Sequence, residues 1–136
     1  MNRNGGKDQG NFAPWSITIA MDFGTLSFGS ITIDGIVYEH DVIIDRGKIC
    51  KRKKKPSKKF REQFGHTPLS VAEAIPWKCR HLVIGTGRYG SLPVMDEVRR
   101  EARQRGVALL VVPTEEAIQT LAAKSKDTNA ILHVTC

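Results

Sequence analysis

With 136 residues, 40% of them apolar and 26% charged, the chain has the length of one domain and can bury a continuous core without disulfide or metal support. No run approaches the ~18 apolar residues of a membrane helix, and three widely spaced cysteines, Cys50, Cys79 and Cys136, exclude a disulfide framework and hold no C-x-x-C pair for structural zinc. The net charge of +7 is concentrated: ten of the 21 basic residues lie between Arg46 and Arg61 with no acidic residue among them, leaving a mildly acidic remainder of 11 basic against 14 acidic residues.

In chain order, the opening MNRNGGKDQGNFAPW is rich in Gly and Asn, has no apolar signal region and is sparse in arginine. It reads as a partly disordered extension over residues 1–26 of a cytoplasmic protein, with a single α/β domain over 27–136 and a short edge strand at Ser16–Met21. Ser27–Asp45 predicts a β-hairpin: Asp34-Gly35 supplies the positive φ angles of a type I′ turn between two β-branched runs. Ile31, Ile33, Ile36, Tyr38, Val42 and Ile44 are expected on the buried face, with Glu39 and Asp41 on the wet one. Asp45-Arg46-Gly47 then turns the chain into a third strand, Lys48–Arg52, and Pro56 with its surrounding lysines ends regular pairing. Thr67-Pro68 is expected to open a short helix, Leu69–Ile75, closed by Pro76.

The pattern then changes to strand–helix alternation. Leu82–Ile84 is a strand; Val94, Met95, Val98 and Ala102 form the apolar stripe of a helix stopped by Gly106. The continuous apolar run Val107–Val112 predicts a strand covered on both faces. A helix capped by Thr114 follows, burying Ala117, Ile118, Leu121 and Ala122, and Ala130–Thr135 closes the chain as a strand. The fold class is thus α/β, an antiparallel hairpin followed by a βαβαβ unit.

Gly85-Thr86-Gly87-Arg88-Tyr89-Gly90 satisfies G-x-G-x-x-G between a strand and a helix. Glycines there let backbone N–H groups approach an anion, and the helix terminus and Arg88 add positive charge. Gly85, Thr86, Gly87 and Arg88, with Thr114 or His133 nearby, are therefore candidates for binding a phosphate or carboxylate; the same residues also read as a plain strand-to-helix turn. About fifty residues after the loop are too few for a dinucleotide fold, so no cofactor is assigned. Lys51, Arg52, Lys53, Lys54 and Lys55 are candidates for contact with an acidic protein surface. Nucleic-acid binding ranks below that contact because Phe60 alone borders the run and no aromatic residues are interleaved for base stacking. His133 and Cys136, three apart on a strand, are expected to face opposite ways and not to share a metal. No nucleophile–base pair is identifiable, so binding is favoured over catalysis; the oligomeric state is left open.

Several segments together resemble a known family. They are Phe28-Gly29-Ser30-Ile31, the Gly35, Tyr38 and Asp41 positions, Phe64-Gly65-His66, Ile84-Gly85-Thr86-Gly87, Pro113-Thr114-Glu115-Glu116-Ala117 and Leu132-His133-Val134-Thr135-Cys136. Over Ser27–Cys136 the chain resembles a family of small α/β proteins of unknown function, first characterised structurally in a methanogen, that includes an adipogenesis-associated human protein and the mitochondrial NADH:ubiquinone oxidoreductase complex assembly factor 3. The resemblance implies a three-layer α/β domain with a mixed sheet and carries no established reaction. Its mitochondrial members suggest a part in assembling a larger complex. The leading expectation is a non-enzymatic binding or assembly module; the alternatives are a small anionic-ligand protein or enzyme at the glycine turn, and non-specific nucleic-acid binding.

Overall fold

In the computed structural model, residues 21–123 and 126–136 are described; residues 1–20, which hold most of the expected extension over 1–26 and of the strand at Ser16–Met21, lie outside them. Three strands, β1 (Phe23–Ser27), β2 (Ser30–Ile33) and β3 (Ile36–Tyr38), form an antiparallel sheet in that order. β1 starts at Phe23, so the domain takes in residues that the sequence placed in the extension. Five strands form a second, mixed sheet: β4 (Val42–Asp45), β5 (Lys48–Lys51), β6 (His81–Thr86), β7 (Ala108–Val112) and β8 (Thr128–His133), in the order β5-β4-β8-β6-β7. β6 runs parallel to both β7 and β8, whereas β4 is antiparallel to β5 and β8. A 3₁₀ helix over Lys55–Phe60 leads into the single turn α1 (Arg61–Phe64); α2 (Asp96–Gln104) joins β6 to β7, and α3 (Thr114–Ala123) joins β7 to β8.

Of the three two-residue hairpins, those at Asp34-Gly35 and Arg46-Gly47 form as their turn residues dictate. Asp34 and Gly35 have φ of 52° and 80°, and Arg46 and Gly47 have 51° and 82°, which is the paired left-handed geometry that matches strand twist. The five-stranded sheet is the middle of three layers. On one face it packs against the three-stranded sheet and α3 through Ile31, Ile33, Val42, Ile44, Val83, Ala117, Leu121, Leu132 and Val134. On the other, Leu82, Ile84 and Ile131 pack against Val98 and Ala102 of α2 and against Leu69, Ile75 and Leu92 of the connecting segments.

Five expectations are corrected by tertiary pairing. The hairpin does not run through to Asp45: after Tyr38 the chain leaves the first sheet for the second, Ile36 is left exposed and Asp41 is buried. Leu69–Ile75 is not a helix: the Leu69 N–H donates to Pro93 O (2.9 Å) and Leu69 O accepts from Met95 N–H (3.0 Å), tying the start of the segment to extended chain, and a turn follows with Glu73 N–H donating to Ser70 O (3.2 Å). β7 is an edge strand with Ala108 and Leu110 exposed, since β8 enters the sheet on the far side of β6. Ala122 points to solvent. Finally, the glycine turn does not open directly into a helix; α2 begins at Asp96, after the extended segment that pairs with Leu69.

Candidate functional site

Two strand ladders meet at Asp41. The register Val42↔Lys51 in one and Val42↔Leu132 in the other places Asp41, one residue further along, between Arg52 and His133. Side chains directly opposite in antiparallel strands share a face, and the structure joins all three. Arg52 Nη1 donates to Asp41 Oδ2 (2.9 Å), and His133 Nδ1 lies 2.8 Å from the same oxygen. The other oxygen, Oδ1, accepts the Val134 backbone N–H at 2.9 Å. Arg52 also grips Glu73 with a two-pronged contact, Nε to Oε1 at 2.8 Å and Nη2 to Oε2 at 2.9 Å, and reaches Pro68 O at 3.1 Å. Ser57, from the 3₁₀ helix, donates to Glu73 Oε2 and meets Ser70 Oγ at 2.6 Å.

This cluster is buried: the Arg52 side chain is 0% exposed, and those of Asp41 and Glu73 are 9% and 3%. Burial alone would raise the Asp41 pKa. The hydrogen bond and charge of His133, the Val134 N–H and the Arg52 guanidinium outweigh it and hold the carboxyl at about 2. For Arg52 burial works against the charge, and the contacts with Glu73 and Asp41 more than offset it, so its pKa is raised.

Above the cluster opens a cleft of about 260 Å³ lined by Lys54, Lys58, Arg61, His66, His133 and Cys136, with Arg52, Thr67, Leu92 and Thr135 completing the wall. Lys54, Lys58 and Arg61 are exposed at its rim. Against the one surplus carboxylate of the buried cluster, this rim sets three cations, and the cleft favours an anion. His133 and Cys136 do come together, contrary to the strand-period expectation. β8 ends at His133, and the following residues bend away to bring Cys136 Sγ within 3.9 Å of His133 Nε2 and 3.8 Å of His66 Nδ1. Among the described residues, no group of three His, Cys, Asp or Glu side chains is placed to hold a metal ion.

The bend follows from the glycine turn. Arg88 N–H donates to Thr135 O (2.8 Å), and Tyr89 and Ser91 N–H donate to Cys136 O (3.2 and 3.0 Å). Gly87 N–H donates to Thr114 Oγ1 (2.8 Å), which in turn donates to His133 O (2.6 Å), and Leu92 N–H closes on Thr86 O (3.0 Å). Three of the turn's backbone donors, those of Arg88, Tyr89 and Ser91, are therefore spent on Thr135 and Cys136, and those of Gly87, Gly90 and Leu92 on Thr114, Gly87 and Thr86. Gly87, at φ 105°, lies where a Cβ would run into the Thr135 and Cys136 carbonyl groups, and a Cβ on Gly85 would meet Thr114 Oγ1 at 2.8 Å. Arg88 extends the other way, donating through Nη1 to Leu26 O at 2.8 Å. Thr86 Oγ1 donates to Val112 O at 3.1 Å. Of the glycine-turn set, His133 lines the cleft. Of the basic set, Lys54 lines its rim, Arg52 forms its floor, and Lys51, Lys53 and Lys55 are exposed beside it. Asp41, Ser57, His66, Glu73 and Cys136 were not singled out as site residues in the sequence; the lone usable signal was the resemblance of the Asp41, His66 and His133–Cys136 segments.

The chain is similar in structure to a conserved hypothetical protein, PH1505, of Pyrococcus horikoshii OT3, with 29% identity, a TM-score of 0.72, and coverage of 85% of this chain and 100% of that one. It shares its fold with a Bordetella pertussis protein described as a Mth938-like domain (18% identity, TM-score 0.56, 94% of this chain and 92% of that one). It shares it also with XCC1710 of Xanthomonas campestris (14% identity, TM-score 0.59, 91% and 90%). Among curated proteins there is no match. Residues 23–133 match the family described as "Protein of unknown function (DUF498/DUF598)", which spans both sheets, all three α-helices and the buried ion cluster, and the chain belongs to that family.

Proposed function

We propose that the domain is a binding module whose cleft takes a small anionic ligand bearing a carboxylate or phosphate. The observation that carries this reading is the rim: Lys54, Lys58 and Arg61 converge on a concave site whose floor is a buried, hydrogen-bonded ion cluster. Such a floor holds the wall groups in place before a ligand arrives, and concave polar sites with few convergent charges are where small ligands bind. The glycine turn supports the cleft indirectly, by anchoring the residues that carry Thr135 and Cys136.

Titration with inorganic phosphate and with citrate, followed by NMR, tests it. Saturable shifts confined to the His66 and His133 imidazoles and to Leu92, lost in Lys58→Glu with Arg61→Glu, are expected. Shifts spread over every lysine without saturation would sink the reading.

Exposure favours a second reading, contact with an acidic protein surface through Lys51, Lys53, Lys54 and Lys55. It fits the assembly role suggested by the resemblance to a complex assembly factor. Arg52 leaves this set, since its guanidinium is fully enclosed. Native pull-down should return a partner that charge reversal of these four lysines releases; a partner retained by the reversed variant would count against the lysine surface.

A further inference from the structure

The cleft is lined by a thiol, Cys136, and two imidazoles, His66 and His133, and the Asp41 carboxylate lies behind the second of these. Because the Asp41 carboxylate only accepts hydrogen bonds, Nδ1 of His133 carries a proton, and in the neutral imidazole Nε2 is then the acceptor. Nε2 faces Thr135 Oγ1 at 3.0 Å and Cys136 Sγ at 3.9 Å, and Sγ also lies 4.0 Å from Thr135 Oγ1. A nucleophile, a base within reach and a third group orienting the base is the arrangement that activates a thiol, and such contacts are often loose before substrate binds. The other two cysteines lack it. Cys50 is exposed on β5, and Cys79 donates to Pro76 O at 3.5 Å while burial pushes its thiol up.

We propose that Cys136 Sγ is a nucleophile toward a small anionic electrophile, with His133 as its base, Asp41 as the positioning residue, and Lys58 and Arg61 holding the anionic group. The substrate class rests on the anion-binding reading of the cleft. In the step, the thiol proton passes to His133 Nε2, directly or across the Thr135 hydroxyl. Sγ forms its bond to the electrophilic atom, the bond to the leaving group breaks, and the leaving group departs with the electron pair. The imidazolium then returns its proton to the leaving group or to water.

Two alkylating reagents that differ in charge test both halves. With iodoacetamide, Sγ–C forms, C–I breaks, iodide leaves and the thiol proton is lost; iodoacetate does the same while carrying a carboxylate. Rates at each cysteine are read by peptide mass spectrometry at pH 7, with the urea-unfolded chain as reference. Cys136 is expected to react with iodoacetamide at least about tenfold faster than in the unfolded chain, a modest share of the ~100-fold that a positioned base contributes. The ratio of iodoacetate to iodoacetamide rates should be higher still in the folded protein, and Lys58→Gln with Arg61→Gln should abolish that preference alone. His133→Gln should remove the acceleration, and Asp41→Asn should slow both reagents equally with their ratio unchanged. Protection of Cys79 reports that each variant is folded.

A Cys136 no faster than the unfolded chain overturns the nucleophile and leaves the phosphate titration standing as an independent result. A fast Cys136 with an unchanged reagent ratio overturns the anionic substrate class together with the cleft reading. A folded His133→Gln that keeps the full rate overturns the base. If that variant unfolds, the comparison of folded with unfolded wild type still decides.

Discussion

Arg52 is the residue on which the cluster turns. Its guanidinium bridges two buried carboxylates and satisfies the Pro68 carbonyl, geometry that a lysine ammonium cannot reproduce. Arg52→Ala leaves Asp41 and Glu73 buried without their cation, and such a break costs about 3–5 kcal/mol. Urea unfolding should show that loss as a lower midpoint, and an effect below ~1 kcal/mol would mean that water reaches the cluster. Asp41 makes a second test through pH. Its folded pKa of about 2 lies below its ordinary 3.8, so the folded state binds fewer protons than the unfolded one in this range. The resulting stabilisation is complete above the ordinary aspartate range and is lost as pH falls through about 2, a contribution of about 2 kcal/mol. Stability measured between pH 2 and 5 should therefore slope less steeply in Asp41→Asn than in wild type. Local patterning alone did not show this pair: an aspartate on the wet face of a hairpin and an arginine in a lysine run both read as solvated, and only the shared ladder makes them partners.

At the level of elements, the hairpins were the most legible feature, because Asp34-Gly35 and Arg46-Gly47 state their conformation locally. Arg46 is nevertheless a poor occupant of its site. At φ 51° a side chain with Cβ is strained, and asparagine tolerates that region better. The backbone N–H of Arg46 donates to Asn129 Oδ1 (2.8 Å) and is retained by any residue, while its exposed side-chain pair with Asp45 adds little. Arg46→Asn should thus raise the thermal midpoint, by an amount equivalent to about 0.5–1 kcal/mol; a fall would show that the Asp45 contact outweighs the strain. The helix expected at Leu69–Ile75 failed for a reason no local pattern contains. The backbone groups of Leu69, its first residue, find partners in Pro93 and Met95, more than twenty residues away. Thr114 likewise reads as a helix cap but spends its hydroxyl bridging Gly87 and His133.

For the whole molecule, the inner strands of the middle sheet, β4, β8 and β6, are covered on both sides and should carry most of the stability. Leu132, 0% exposed and central to the core beneath the three-stranded sheet, should cost about 2–5 kcal/mol when cut to alanine. Ile36, 57% exposed on β3, should change stability by no more than ~0.5 kcal/mol when replaced by serine. Equal costs in denaturant titration would show that the outer edge of the small sheet is covered in solution. The two sheets are held together by more than apolar contact: Gly29 N–H donates to Val134 O (2.7 Å) and Arg88 reaches Leu26 O. None of the described helices is long and apolar enough to cross a membrane.

Local patterning by itself determined an α/β fold, the tight turns at Asp34-Gly35 and Arg46-Gly47, the two long helices and the strands of the βαβαβ half. Each depends on a period or a turn residue within a few positions. Only the tertiary structure decided the candidate site, because Asp41, Arg52, Glu73 and His133 come from separate segments, with Asp41 and His133 92 residues apart. Their meeting is set by strand order and register, which place β8 beside β4. The bend that turns Cys136 toward His133 is likewise imposed from outside its own strand, by backbone donors of the glycine turn that local sequence had suggested for a ligand.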